Sequence, residues 1–150
     1  MSTADPGDIY RMVGGDGGEF FRDRPAPGAA IRKVRVRTGR YVDALGLLYT
    51  DGAETHHGGM GGDPVSMTLD VELGEFITEV SVRSGRYLDH VRISTNLRPK
   101  GFGGGGEGGA PFTFRAPPGQ QIIGFWGRAG HFIDALGVLL APAPGRERSG

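Results

Sequence analysis

Apolar and polar residues alternate along this chain in short bursts. Val34-Arg35-Val36-Arg37 and Val80-Ser81-Val82-Arg83 repeat with a period of two, which predicts strands with one buried face. No window sustains the 3.6-residue period of an amphipathic helix, and Gly and Pro interrupt too often for long helices. One order of features recurs three times. A glycine-rich loop is followed by an apolar stretch (Phe20-Phe21, Val65 to Leu69, Phe112 to Phe114). A lone glycine then precedes an isoleucine (Gly28 and Ile31, Gly74 and Ile77, Gly119 and Ile122), and an alternating segment comes next. Each unit therefore predicts about four short strands.

Two motifs keep the period. The first is Gly, any residue, aromatic, aliphatic, Asp: Gly39-Arg40-Tyr41-Val42-Asp43, Gly85-Arg86-Tyr87-Leu88-Asp89 and Gly130-His131-Phe132-Ile133-Asp134, at steps of 46 and 45. The second is the loop Gly14-Gly15-Asp16-Gly17-Gly18, Gly58-Gly59-Met60-Gly61-Gly62 and Gly105-Gly106-Glu107-Gly108-Gly109, at steps of 44 and 47. Strand-rich units of this length build propeller blades or prism faces, and three units close most simply as a three-sided prism. The expected fold is all-β, three four-stranded sheets with internal pseudo-three-fold symmetry. Ile9 to Val13 precedes the first glycine loop and Ala135 to Leu140 follows the third Asp. The two ends are therefore expected to supply neighbouring strands of one sheet, closing the ring and removing an exposed edge.

The motifs also carry chemistry. A carboxylate just after a tight turn has two oxygens, each able to accept a bond from one of two adjacent sugar hydroxyls. The glycine that opens the motif permits a positive φ and is expected to leave peptide N–H groups uncovered. The aromatic can lie beside the apolar face of a pyranose, and the glycine loop allows close approach and adds donors. One such motif reads as a turn braced by Asp. Three in phase, each with its glycine loop, point to ligand binding, because a turn does not require the Asp.

These residues resemble the jacalin-related lectins of the β-prism I fold over about Ile9 to Leu140. The runs Arg83 to Asp89 and His56 to Gly62 are especially similar. The resemblance implies mannose sites in which the Asp accepts bonds from the hydroxyls at positions 4 and 6. Loop N–H groups would reach the ring and position-6 oxygens, and the glycine loop position 3. It pairs Gly39, Arg40, Tyr41, Val42 and Asp43 with the loop starting at Gly58 and Gly59. It pairs Gly85, Arg86, Tyr87, Leu88 and Asp89 with the loop starting at Gly105 and Gly106. Gly130, His131, Phe132, Ile133 and Asp134 close on Gly14 and Gly15. Galactose-specific relatives depend on a glycine at a cleaved amino terminus; Gly14 is internal, so mannose or glucose is favoured. Arg40, Arg86 and His131 stand where high-mannose binders frequently carry Asp or Ser. Phe132 lacks the hydroxyl of Tyr41 and Tyr87, and Met60 and Glu107 replace a small Ser.

Composition narrows the alternatives. The 150 residues hold 17 Lys plus Arg and 17 Asp plus Glu, so no net field gathers nucleic acid. There is no Cys, hence neither disulfides nor a thiolate metal site. Neither metal nor cofactor is expected, since adjacent His56 and His57 on a strand point to opposite faces. Gly101 to Gly106 formally fits a dinucleotide fingerprint, but no helix follows it. The basic run Arg32 to Arg37 reads as a solvated strand face, and Trp126 as core or sheet surface. Met1 to Tyr10 contains no signal-peptide core, and no run approaches the ~20 apolar residues of a membrane span. The expectation is a soluble protein, cytoplasmic or non-classically secreted, with residues 1–8 a flexible start, 9–140 the domain and 141–150 a disordered tail. The expected function is non-catalytic: each site offers one Asp, with Glu107 or Asp16 as distant seconds, whereas glycoside hydrolysis needs a carboxyl pair. The expected partners are mannose-containing oligosaccharides and glycoproteins. The alternative is a structural or protein-interaction module. A self-closed protomer is favoured over a homodimer, because Gly18 to Ile31 spans the same distance as Gly109 to Ile122.

Overall fold

A computed structural model describes residues 9–145. Its twelve strands are β1 Val13–Gly14, β2 Glu19–Arg22, β3 Ile31–Thr38, β4 Val42–Tyr49, β5 Glu54–Gly58, β6 Asp63–Thr68, β7 Ile77–Ser84, β8 Leu88–Thr95, β9 Phe102–Gly105, β10 Ala110–Arg115, β11 Gln120–Ala129 and β12 Ile133–Pro142. They form three antiparallel four-stranded sheets in the orders β5-β4-β3-β6, β9-β8-β7-β10 and β1-β12-β11-β2, the last two sheets joined only at the bridge Ile122–Ile77. The all-β prism with its repeated sheets is the architecture the period of two predicts. The third sheet takes its inner pair from the end of the chain and its outer strands from the beginning, with Val13 facing Leu136 and Phe21 facing Gly127. Both of its flanking strands, β1 and β2, come from the beginning of the chain.

Alternation explains what fills the interior. Val34, Val80, Val91, Ile93, Ile122, Ile133 and Leu136 have no exposed surface, and each withdraws about 1.5–3 kcal/mol worth of apolar area from water. Two polar groups in the interior show their partners. The Tyr49 hydroxyl donates to the Ile123 carbonyl at 2.9 Å and ties the first sheet to the third. Buried Glu75 accepts from the Thr95 hydroxyl, the Asp70 N–H and Arg98. Burial alone would raise its pKa, but these bonds and the Arg98 charge outweigh it and hold the carboxyl below the ordinary range.

The domain runs further than the sequence suggests. Ala141 and Pro142 of β12, assigned to the tail, are paired with Gln121 and Gln120 of β11, and Ala143 is buried with its N–H on the Gly119 carbonyl. Residues 1–8 and 146–150, the rest of the expected flexible ends, lie outside the described residues. No helix of the described residues is long and apolar enough to cross a membrane.

Candidate functional site

Each sheet carries the same irregularity beside its Asp motif. Arg37 pairs with Ala44 and Thr38 with Val42, so Asp43 is an extra residue with no partner. The same shift leaves Asp89 extra between His90 and Leu88, and Asp134 extra between Ala135 and Ile133. A bulge frees one residue from strict in-out alternation and re-aims its side chain. The residue before each Asp, Val42, Leu88 or Ile133, is wholly buried and anchors the bulge in the core.

The carboxylate then turns toward the glycine loop of its own sheet, and the loop's composition follows from that approach. A Cβ on Gly61 would stand 2.7 Å from one Asp43 carboxylate oxygen, and a Cβ on Gly62 2.7 Å from the other. A Cβ on Gly58 would fall 2.2 Å from the Asp43 carbonyl, and one on Gly59 2.5 Å from the His131 carbonyl of the third unit. Gly58 and Gly62 also take φ of 104° and 71°, which side chains resist. Only the middle residue is free, and Met60 is 78% exposed. The other two loops repeat this with Asp89 against Gly108 and Gly109, and Asp134 against Gly17 and Gly18. The structure thus brings together the three motif–loop pairs that the resemblance implied.

Three details differ from expectation. Gly39, Gly85 and Gly130 do not take positive φ, and their N–H groups donate to Tyr41, Tyr87 and Phe132 carbonyls at 2.9 Å. They close the loop's own turn, and that of Gly130 also lies close enough to act on the Asp134 carboxylate. The N–H groups of Gly15, Gly59 and Gly106 are likewise engaged, with the carbonyls of Asp134, Asp43 and Asp89. Space beside the glycines is filled by the chain's own carboxylate and carbonyls. Finally, Tyr41, Tyr87 and Phe132 converge, with ring centroids 4.8–5.1 Å apart in all three pairs. The three aromatics, expected as separate platforms, lie together in one cluster. All three motif–loop pairs therefore share one end of the prism, with Arg40, Arg86 and His131 exposed around the cluster.

A further triplet was missed, although Arg37 belongs to the run read as a solvated strand face. Arg37 donates to the Gly61 and Gly62 carbonyls, Arg83 to those of Glu107, Gly108 and Gly109, and Arg128 to those of Gly17 and Gly18. Each Arg clamps a loop that is glycine on both sides of its middle residue. The available signal was phase: Arg37, Arg83 and Arg128 each stand two residues ahead of the opening glycine.

Asp43 and Asp134 keep 7% and 5% of their surface, and Asp89 is half-buried. Burial pushes the Asp43 and Asp134 carboxyls above the ordinary range, while Arg37 and Arg128 pull the other way. The Gly130 N–H also favours the ionised form of Asp134. Among the described residues no sealed side-chain polar atom lacks a partner. What surface these aspartates retain therefore lies where the carboxylate oxygens need it, since an unsolvated, unbonded carboxylate is costly.

A profile of the jacalin-like lectin domain matches residues 10–139. The chain belongs to this family. The lectin domain is 37% identical over 139 residues to the jacalin-related lectin Calsepa of Calystegia sepium, covering 83% of this chain and 89% of Calsepa. It is 33% identical over 129 residues to griffithsin of a Griffithsia species, covering 86% and 93%. The structure of wild-type Malaysian banana lectin superposes with a TM-score of 0.78 at 32% identity, over 88% of this chain and 96% of that one. Calsepa in complex with a biantennary N-glycan superposes with a TM-score of 0.71 over 93% and 99%, where identity is 25%. Family membership makes the domain a carbohydrate-binding lectin.

Proposed function

We propose that this lectin domain binds mannose- or glucose-type hexoses at three sites on one end of the prism, and engages branched high-mannose glycans through more than one site. The observation that carries the reading is the threefold bulge that lifts Asp43, Asp89 and Asp134 out of their strands and stands each carboxylate against bare glycine peptide. Two oxygens so placed can accept from two neighbouring hydroxyls. The N–H groups of Arg40 and Tyr41, and their counterparts, lie outside the strand ladder and take no part in the turn's closing bond, which leaves them to reach ring oxygens. The Calsepa structure, with its bound N-glycan, supports a sugar ligand on this fold. The reading is non-catalytic, because each bulge presents a single carboxylate and glycoside hydrolysis uses two.

One shallow site is expected to be weak, around millimolar, and linkage of several can raise affinity by ~10². Isothermal titration with methyl α-mannoside and with a branched oligomannoside tests both parts. Expected are three equivalents of monosaccharide and a much tighter branched ligand; equal affinities would remove multivalency. The triple change Asp43→Ala, Asp89→Ala, Asp134→Ala should abolish all heat. It should not lower the melting temperature, because burial already disfavours the ionised form at two of these positions. Absence of heat with every hexose in the unaltered protein sinks the proposal.

A further inference from the structure

The outer faces of the three sheets are not equivalent below their sites. In the third sheet Phe20 lies across from Arg128, and Arg22 across from Trp126. The positions matching Phe20 are Pro64 and Pro111, across from Arg37 and Arg83; those matching Trp126 are Arg35 and Ser81. Only the third sheet carries aromatics at both. Phe20 is 59% exposed and meets the half-buried indole edge-on, with centroids 6.2 Å apart at 61°. The indole lies across Gly137, where a Cβ would come within 2.2 Å of its Nε1, so the strand beneath is shaped to hold the ring flat. The ledge starts at the site's rim. Arg128, across from Phe20, bonds the Gly17 and Gly18 carbonyls that wall Asp134, and Phe20 is two residues, about 6.6 Å of strand, beyond Gly18.

The geometry points to a subsite on Phe20 and Trp126 for the sugar next to the hexose held at Asp134, on the same oligosaccharide. A pyranose presents one face of C–H bonds, and the electron-rich face of an aromatic ring is its natural partner. The occupant is a linked sugar and not a separate molecule, because the ledge is continuous with the walls of the Asp134 site and has no counterpart beside Asp43 or Asp89. The inference rests on the reading of Asp134 as a hexose site.

Trp126 is the single tryptophan of the 150 residues, so its emission reports the ledge directly. The double variant Asp43→Ala, Asp89→Ala isolates the third site and is titrated with methyl α-mannoside and with a linear α-linked mannotriose, by calorimetry and fluorescence. Both ligands should bind, and only the trisaccharide should shift the Trp126 emission. Adding Phe20→Ala should weaken the trisaccharide by about fivefold, the scale of one ring contact, relative to the monosaccharide. If the monosaccharide binds but saturating trisaccharide leaves the emission unmoved, or Phe20→Ala changes neither affinity, the subsite alone falls. If neither ligand binds the double variant, the hexose reading of Asp134 falls with it. Sedimentation showing that Phe20→Ala splits a dimer at unchanged glycan affinity would assign the ledge to a contact between copies and overturn the proposal.

Discussion

The proposed sites at Asp43 and at Asp134 have the same geometry but not the same dependence on the chain. Asp43 and its loop Gly58 to Gly62 lie within one run, β3 to β6, and Asp89 with Gly105 to Gly109 within β7 to β10. Asp134 meets Gly14 to Gly18 only after the whole ring has closed. Loop closure grows costlier with length, though slowly, and long-range pairing forms late. Equal shape can therefore conceal unequal robustness: two sites are local products of a hairpin pair, and the third is a product of the finished fold.

The sharpest way to break this comparison is one truncation at matching positions. Leu136 and Leu45 are both buried, each two residues beyond its site aspartate, but Leu136 faces Val13 of β1. Leu136→Ala and Leu45→Ala should each cost about 3 kcal/mol in urea denaturation. Leu136→Ala should also weaken sugar binding at Asp134 selectively, by loosening the strand that leads into Gly14. Site-resolved titration showing equal losses at all three sites would dissolve the distinction between local and closing units.

Glycine substitutions sharpen it next. A Cβ on Gly15 would lie 2.0 Å from the Arg86 carbonyl, at the junction of two units, whereas one on Gly39 meets nothing nearer than 3.7 Å. Gly15→Ala should cost about 2 kcal/mol and remove binding at Asp134, while Gly39→Ala should be close to neutral. Thermal melts and hexose titration of the pair provide the check. A damaging Gly39→Ala would mean that the opening glycine serves the ligand in a way its contacts do not reveal.

How much could be read in the sequence follows the same division between local and distant causes. Strand alternation, the two in-phase motifs and closure by both termini were legible, because each is a matter of spacing along the chain. Asp43, Asp89 and Asp134 were legible as the recurring acids of the motif, but their place on bulges was not: an unpaired residue looks like any other until its partner strand is known. Gly39 was assigned a positive φ on residue type, although the strained angles belong to Gly58 and Gly62, where the loop wraps the carboxylate. The meeting of Tyr41, Tyr87 and Phe132 depends on three units some 45 residues apart coming to one axis, which no local pattern encodes. Arg37, Arg83 and Arg128 were legible in phase and passed over because alternation with valines already explained Arg37.

Those arginines define a smaller effect. Arg128→Ala removes two bonds to carbonyls of a loop that joins the sheet from the far end of the chain. A charged donor to a carbonyl contributes about 1 kcal/mol or somewhat more, so affinity at Asp134 should fall by roughly tenfold. Arg83→Ala, with its loop held inside a contiguous unit, should cost the Asp89 site less. Titration of each variant in a background lacking the other two site aspartates measures the difference. The reverse order would show that clamping, and not closure, limits the third site.

The pH dependence is the most diagnostic of mechanism, because binding and stability should move oppositely with pH. Sugar hydroxyls donate to the ionised carboxylate, so affinity should be flat at neutral pH and fall by up to about tenfold per unit once the acid protonates. Burial raises Asp43 and Asp134, so the fall at these sites should begin above the range of an ordinary Asp near 3.8. For folding the sign is reversed. A carboxyl whose pKa is higher in the folded than in the unfolded chain gives stability that is present at low pH and lost as pH rises through the folded value. Acidification across that window should thus weaken sugar binding while these two groups favour the fold. Arg128→Ala removes the charge that opposes the shift at Asp134 and should move the loss of binding there to still higher pH. Calorimetry against pH on the variant retaining only Asp134, with melts alongside, gives both curves. A decline beginning only where a solvated Asp titrates would mean that the carboxylate is less buried than the bulge and its glycine wall require.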